Sequence, residues 1–440
     1  MIFVMNRSEA EDYIYKSYLK AEKSQKYDDK DAKKRHPELS FSTLQNMSST
    51  PATVVTGSKG KGSVANMISC LLQSKYKVGL MTSPHIASFC ERFRINSKPI
   101  SDEDFVKHVS LVAPIFDKID STLLDSIGIS PMAIQAAVAL NYFNVSKTDY
   151  NVFECGKGAR YDDVNNVKHD YAVINTIFLE HTRELGETIE QIADDKSYVI
   201  NGEQKCVYVG EQSPSVLDVI ESRALKYNTP LKVYGRDFVS ENIRYTKEGM
   251  LFDVVLGDVT YHDILVPLLG EHQAKNCALA IAIVKDILGD LDVITIRECI
   301  AKLKWAGRME IISQTPFVLL DACINKASCA NVKKVLENLE ISKCCVIVGI
   351  PSDKDYIGVV KEIADCSKKI ILTKSQNAHY KFSPEQKDLL KQAGIPVEWT
   401  SSVEEALILG KKENIPTVIL GTTSVVAEVI DFFNTHSYTN

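Results

Sequence analysis

Of 440 residues only two are tryptophan, and the eleven cysteines contain no Cys-x-x-Cys pair. An odd, scattered set of thiols without metal-type spacing excludes a zinc module or a disulfide framework as the organising principle. Cys344 and Cys345 are adjacent in the apolar run 344–348, so both are expected to pack as small hydrophobes. No apolar run approaches the ~20 residues of a membrane span, and no signal-peptide pattern opens the chain. Reduced thiols, the cytoplasm and no membrane partner are therefore expected. Positive charge is also short: 51 Lys and Arg against 57 Asp and Glu leave a net charge of −6. That balance argues against nucleic acid as the main partner, which usually leaves a basic footprint. Low-complexity segments and short-period repeats are missing too.

What is present is an ordinary globular composition, 45% hydrophobic and 25% charged. Single cores rarely grow past about 250–300 residues, so two or three domains are expected.

The most informative stretch runs from Thr53 to Ser63. A β-branched run, Thr53-Val54-Val55-Thr56, breaks into Gly57-Ser58-Lys59-Gly60-Lys61-Gly62-Ser63 and then into a helical pattern through Leu72. Strand, glycine turn and helix N-terminus together aim several backbone N–H groups at one small concavity, which suits an anion. Lys61 can reach the outer phosphates of a nucleotide, and the Ser63 hydroxyl can face a magnesium ion. The spacing is shorter than the strict phosphate-loop pattern, and glycines at such a place also serve as plain turn chemistry.

Around it, strands alternate with helices, which indicates a mostly parallel sheet with ligands beyond the carboxyl ends of the strands. The segment 150–153 delivers Glu154 at its end, 171–175 leads to Glu180-His181-Thr182, and a helix from Thr188 carries Lys196. Ser101 and Asp104 are read as a capping box opening a helix to about Asp120. Residues 205–265 alternate in short segments, including 232–234, 250–255 and 258–262, and read as antiparallel hairpins. Helices follow at 272–288 and 294–303. Trp305-Ala306-Gly307-Arg308 reads as a linker, after which strand and helix alternate again. The fold class is therefore α/β: a phosphate-loop parallel-sheet domain with an antiparallel subregion over 1–304, and a smaller Rossmann-like α/β domain over 305–440. Residues 1–50 form an N-terminal extension. Helical spacing over 8–24 and a charge-dense 26–36 read there as a solvated surface helix and loop, or alternatively as a flap near the substrate mouth.

At this point the chain resembles the folylpolyglutamate synthase and dihydrofolate synthase branch of the Mur ligase superfamily, over nearly its whole length. Thr56–Ser63 is similar to the family's Thr-Gly-Thr-Asn-Gly-Lys-Gly-Ser, with Lys59 where Asn is usual. Ser83-Pro84-His85, Glu91-Arg92-Phe93, and Glu154-x-Gly156-x-Gly158-Ala159-Arg160-x-Asp162 with Asn165 resemble the next blocks. Glu180-His181-Thr182 with Leu185-Gly186-x-Thr188, Leu269-Gly270-x-His272-Gln273-x-x-Asn276, Gly307-Arg308, Asp353-Lys354-Asp355 and Gly421-Thr422 follow in order. One block departs: the family's Asp-Gly-Ala-His-Asn is Asp321-Ala322-Cys323-Ile324-Asn325.

The resemblance implies an ATP-dependent ligase that activates a carboxylate as an acyl phosphate for attack by an amine, with ATP and Mg2+ as cofactors. It implies glutamate as the amine, a folate-like acid as its partner, and a chain acting as a monomer. Catalytic roles fall on Lys61, Glu154, His181 and Lys196, the last where relatives carry a carbamylated lysine. Nucleotide contacts fall on Gly57, Ser58, Lys59, Gly60, Lys61, Gly62, Ser63, Asn276, Arg308 and Asp321. Metal ligands fall on Ser63, Ser83, Glu154 and His181, and substrate contacts on His85, Arg92, Arg160, Asn325 and Thr422. Two other readings stay open: the same chemistry on a different acid or amine, motivated by Ile324, and a nucleotide-binding homologue without ligase activity. A GTPase is set aside because no Asn-Lys-x-Asp motif occurs.

Overall fold

The computed structural model describes residues 5–24, 31–377 and 380–436. Among the described residues three helices precede the first strand: α1 (Arg7–Glu22), α2 (Asp31–Lys34) and α3 (Glu38–Met47). The first sheet and its helices follow as β1 (Ala52–Thr56), α4 (Lys61–Leu72), β2 (Val78–Met81), β3 (Phe93–Ile95), β4 (Lys98–Pro99), α5 (Asp102–Asp120) and α6 (Pro131–Ser146). They continue as β5 (Tyr150–Glu154), β6 (Tyr171–Ile174), α7 (Ile189–Lys196), β7 (Cys206–Val209), α8 (Pro214–Tyr227) and β8 (Leu231–Val233). The eight strands lie in the order β4-β3-β2-β5-β1-β6-β7-β8. From β2 to β8 the pairing is parallel, and β3 and β4 form an antiparallel edge. Every residue of β1 and β5 is buried, as a strand covered on both faces requires. Because β1 lies between β5 and β6, the loops after Thr56, Glu154 and Ile174 open side by side, where an open α/β sheet holds its ligand.

A three-stranded antiparallel sheet comes next, with β9 (Phe238–Thr246), β10 (Gly249–Leu256) and β11 (Val259–Val266) in the order β11-β10-β9. It leads to α9 (Glu271–Leu288) and α10 (Val293–Ile300). Helix α9 packs beside α4, with Cys277 to Val284 all buried; each fully buried Ile, Leu or Val there contributes roughly 1.5–3 kcal/mol. The third sheet starts with β12 (Glu310–Gln314), β13 (Phe317–Asp321), α11 (Lys326–Asn338), β14 (Cys344–Gly349) and α12 (Tyr356–Ile363). It ends with β15 (Ser367–Leu372), α13 (Glu385–Gln392), β16 (Glu398–Trp399), α14 (Val403–Lys411), β17 (Thr417–Gly421) and α15 (Thr423–Thr435). Its order is β12-β13-β17-β14-β15-β16, parallel except for the β12 edge. Cys344 and Cys345 are fully buried in β14, as their apolar surroundings suggest. The fold is thus the expected α/β, with a phosphate-loop parallel sheet, an antiparallel subregion and a smaller C-terminal α/β unit.

Three expectations are corrected. The segment at 232–234 is not a hairpin: β7 and β8 extend the parallel sheet, and antiparallel pairing begins only at Phe238. A three-residue strand alternates no differently in either sheet type, so its short pattern cannot tell them apart. Helix α1 is not a solvated surface helix, because Ala10 and Ile14 are fully buried against α5 and α6. Of the charge-dense 26–36, residues 26–30 lie outside the described residues, and Asp31 is buried. Of the capping box on α5 only the Ser101 half forms, its hydroxyl accepting the Asp104 N–H at 3.0 Å. Among the described residues no helix is long and apolar enough to cross a membrane.

Candidate active site

The loop between β1 and α4 is shaped by what surrounds its glycines. Gly60 caps α4 at φ +76, and a Cβ there would sit 2.7 Å from Asn175 Nδ2; at Gly57, φ +137, it would sit 2.9 Å from Asn175 Cβ. Asn175, at the carboxyl end of β6, donates to Lys59 O (3.0 Å) and to Asn276 Oδ1 (2.9 Å). The loop is thereby tied to α9. Ser58 is held as tightly, its hydroxyl accepting the Phe178 N–H at 2.9 Å. Lys61 lies back over the loop, its ammonium on Gly57 O (3.0 Å) and Ser58 O (3.2 Å). An ammonium resting only on neutral carbonyls is available to an incoming phosphate.

Glu154 ends β5, in register with Val55 of β1. It is 4% exposed, yet among the described residues it makes one hydrogen bond, accepting the Ser83 N–H at 2.9 Å, and no ion pair. Burial raises its pKa, while Lys61, the Ser83 N–H, Arg308 and Arg92 pull the other way. Gly62 and Ser63 begin α4 beside it, since a Cβ on Gly62 would sit 3.1 Å from Glu154 Oε2. A desolvated carboxylate with spare lone pairs, at the first turn of the phosphate-loop helix, is an oxygen donor that suits a hard divalent cation, to which nearby serine hydroxyls could add. Among the described residues no cluster of three or more His, Cys, Asp or Glu stands at metal-holding distance.

Lys196, at the end of α7, is fully buried and donates to Gly57 O and Lys157 O, both at 2.9 Å, with Glu180 Oε1 at 3.3 Å. Burial and the nearby Lys61 lower its pKa to about 8. His181 occupies a left-handed turn position, φ +48, and is exposed. Desolvation lowers its pKa against the opposing field of Glu180 and Glu184. It lies in the field of Glu180, Lys157, Glu184 and Lys196, whereas Glu154 lies in that of Lys61, Arg308, Arg92 and Arg94. The structure therefore groups Glu154 with Ser83 and Ser63, and sets His181 with Lys196.

On the other side of Ser83, buried Arg92 donates from Nε to His85 Nδ1 (2.9 Å) and from Nη1 to Gln135 Oε1 (2.8 Å). Burial, with Arg92 behind it, pushes the His85 pKa down to about 4. Helix α1 backs this loop: Arg7 donates to Ser88 Oγ at 3.0 Å, and Tyr15 meets the Phe89 ring edge-on.

The C-terminal sheet supplies the facing wall. The Ala322 N–H donates to Gly307 O (2.9 Å) and the Met309 N–H to Asp321 Oδ2 (2.9 Å), fastening the 305–309 segment to the end of β13. Asp321 is only half-buried by exposure, yet the protein surrounds it closely enough to raise its pKa to about 6, opposed by Met309, Arg308 and Lys59. Partial exposure with strong desolvation is what the wall of a cleft experiences. Asn325 caps α11 by accepting the Ser328 N–H (2.9 Å), and Thr422 opens α15 with its hydroxyl on Ser424 (2.9 Å). Arg160 stands apart: exposed, it lies over the Tyr198 ring (4.6 Å) and 3.7 Å from Asp194.

Three residues to which the sequence assigns no site role also belong here. Asn175 bridges the loop to α9. Trp305, read only as part of a linker, approaches the phosphate loop, because a Cβ on Gly62 would meet its ring at 2.8 Å. Arg94 stacks on that ring at 5.3 Å and donates to Thr82 Oγ1 (3.0 Å). Asn175 closes a parallel strand, the same signal that singles out Glu154; nothing local marks Arg94 or Trp305.

Residues 55–284 match the Mur ligase middle domain. The dihydrofolate synthase/folylpolyglutamate synthase of Bacillus subtilis (strain 168) is 31% identical over 319 residues, covering 70% of this chain and 73% of that protein. A Mycobacterium tuberculosis folylpolyglutamate synthase complexed with ADP superposes with a TM-score of 0.80 at 25% identity, covering 96% of this chain and 99% of its own. A folylpolyglutamate synthase complex with AMPPCP and folate gives 0.77 at 26%, covering 98% of this chain and all of the other (100%). On the family match over residues 55–284 and the likeness to these relatives over most of the chain, the protein belongs to the Mur ligase family, in its folylpolyglutamate synthase branch, and is an ATP-dependent acid–amino-acid ligase.

Proposed function

We propose that the chain uses ATP and Mg2+ to phosphorylate the carboxylate of a folate-like acid and passes the resulting acyl phosphate to the amine of glutamate. The observation that carries this reading is Glu154, a buried carboxylate with one hydrogen bond at the edge of the phosphate loop. A protein that merely held a nucleotide would have little use for so costly a group. A carboxylate is a poor acyl donor because its leaving group is oxide; phosphorylation supplies a better one. Most of the work is then positioning and charge neutralisation.

In this scheme Lys61 leaves the Gly57 and Ser58 carbonyls for the β- and γ-phosphates, and the N–H groups of Gly57 to Ser63 line the rest. Ser63, Ser83, Glu154 and His181 would hold the divalent cation. Bound there, the cation neutralises charge on the transferring phosphoryl group. Lys196, with a pKa of about 8, keeps a share of free amine near neutrality. As a carbamate it would present a carboxylate to the same site. Asn276, Arg308 and Asp321 would contact the nucleotide, Arg308 as a charge clamp. His85, Asn325 and Thr422 would face the substrates, with Arg92 behind His85 rather than in contact with them. Arg160, held on Tyr198, would meet only the outer part of the acid.

We further infer that 1–304 and 305–440 act as two domains that close over ATP, with Trp305–Arg308 as hinge, which excludes water from the acyl phosphate. The left-handed Gly307, φ +64, supports a bend at that point. All the groups lie on one chain, which supports action as a monomer. Eleven free cysteines suit the reducing cytoplasm.

A second reading is favoured by Ile324, which carries no donor where relatives have histidine: the same chemistry on another amine. Release of ADP should be measured with ATP, tetrahydrofolate and a panel of amino acids. Turnover that needs both tetrahydrofolate and glutamate supports the first reading and sinks the second. ADP release with another amine alone supports the second and sinks the first.

A further inference from the structure

We propose that Arg92 fixes His85 in the tautomer that carries its proton on Nε2, so that His85 offers an N–H to a carboxylate oxygen of the acid substrate. A guanidinium can only donate: Arg92 Nε always bears a hydrogen and never accepts. It stands 2.9 Å from His85 Nδ1, so that nitrogen must present its lone pair and the ring proton must sit on Nε2.

Arg92 is not free to turn away. Its Nη1 donates to Gln135 Oε1 at 2.8 Å, and its Cζ lies over the Phe89 ring, 4.7 Å from the centroid. Gln135 is itself 1% exposed and anchored on Pro131 O at 3.0 Å through its amide nitrogen, so its oxygen is left to face Arg92. The Phe89 ring also flanks His85, at 5.4 Å between centroids. The imidazole is therefore held from behind through Nδ1 and from the side by Phe89.

Among the described residues nothing accepts from His85 Nε2, and the residue keeps part of its surface exposed. An oriented, unclaimed N–H thus lies two residues along the chain from Ser83, whose backbone N–H holds Glu154. A carboxylate waiting to be phosphorylated needs one oxygen held while the other attacks, and a neutral donor holds it without lowering its nucleophilicity as a full cation would. Arg92, buried behind the ring, is a positioning residue.

This role rests on the ligase reading, and the test separates the two. The full-length protein, labelled with 15N-histidine, should show at pH 7 a pyrrole-type Nε2 and a pyridine-type Nδ1 for His85, assigned by its absence in His85→Gln. Arg92→Lys should lose that fixed tautomer while ATP-analogue affinity stays unchanged. Tetrahydrofolate should shift the Nε2 resonance. In steady-state assays His85→Asn, which places its amide near Nδ1, should lose about 10- to 100-fold in kcat/KM for the acid. His85→Gln, whose amide reaches the Nε2 position, should recover most of it. An Nδ1–H tautomer in the parent, equal losses in the Asn and Gln variants, or acid binding that leaves Nε2 unmoved overturns the proposal. Intact ATP binding with no response to any acid overturns the ligase reading and this role with it, whatever the tautomer.

Discussion

Lys61 and Lys196 donate to the same oxygen, the carbonyl of Gly57, at 3.0 and 2.9 Å. Two ammonium groups on one carbonyl repel each other, and that repulsion is part of why Lys196 is held at a pKa of about 8. Glu180, 3.3 Å from Lys196, and the partial solvent access of Lys61 offset that repulsion. A phosphate that draws Lys61 away relieves it.

Lys61→Ala should therefore do two things. ADP release should fall about 10²- to 10³-fold, the scale of losing one charge-stabilising group in a dry site. The Lys196 pKa should also rise toward the ordinary lysine value, readable from the pH dependence of its chemical labelling in the nucleotide-free protein. ADP release at the parent rate would refute the assignment of Lys61 to the phosphates.

Stability should climb between about pH 8 and pH 10.5 because of Lys196. Its folded pKa lies below the unfolded value of 10.5, so in that window the unfolded chain binds more protons and rising pH favours the fold. The swing is roughly 3 kcal/mol for such a shift. Urea unfolding across that range should show the rise in the parent chain and not in Lys196→Met.

Asp163 carries the opposite sign. It is 1% exposed and Oδ1 accepts the Ser40 hydroxyl; burial with Asp162 nearby raises its pKa to about 6, against the pull of Ser40, Ser130 and Arg35. The folded state then binds more protons than the unfolded one from about pH 4 to 6, so stability is lost as pH rises through that window. Asp163→Asn should raise Tm at pH 7 and flatten the pH 4–6 slope. A lower Tm at pH 7 would show that the charge is needed where it lies.

Glu154→Gln should leave the fold intact or slightly firmer, since it removes a buried charge. Activity should behave differently: ADP formation should drop about 10²-fold or more, with the residual rate insensitive to Mg2+ over a titration. An unaltered Mg2+ dependence would place the cation elsewhere.

Gly62→Ala should push on the Trp305 ring, because the new Cβ would fall 2.8 Å from it. Tryptophan fluorescence should change, and ATP-analogue affinity should weaken with it. A change in neither would mean that Trp305 yields freely and does not support the loop.

Some of these features are legible in local pattern. The loop 57–63 declares itself because glycine positions, a lysine and a serine are set by the turn itself. Glu154 stands out because strand ends in a parallel sheet are marked by the switch from apolar to polar. The antiparallel strands at 250–255 and 258–262 show in their alternation. Arg94 and Trp305 do not, because their meeting joins residues 211 positions apart, and Asn66, which donates to Lys304 O at 3.1 Å, spans 238. The buried face of α1 is hidden for the same reason: its apolar residues are few, and their partners on α5 and α6 lie about a hundred residues on.

By itself, then, the order of residues settled which chemical groups exist, which of them end strands, and that a glycine turn joins the first strand to a helix N-terminus. These follow from short-range backbone geometry and period. Tertiary packing alone decided that two lysines share one carbonyl, that Glu154 is left with a single hydrogen bond, and that an arginine selects a histidine's proton. Each depends on desolvation and on distances between elements far apart in the chain, and neither quantity is written in any local window.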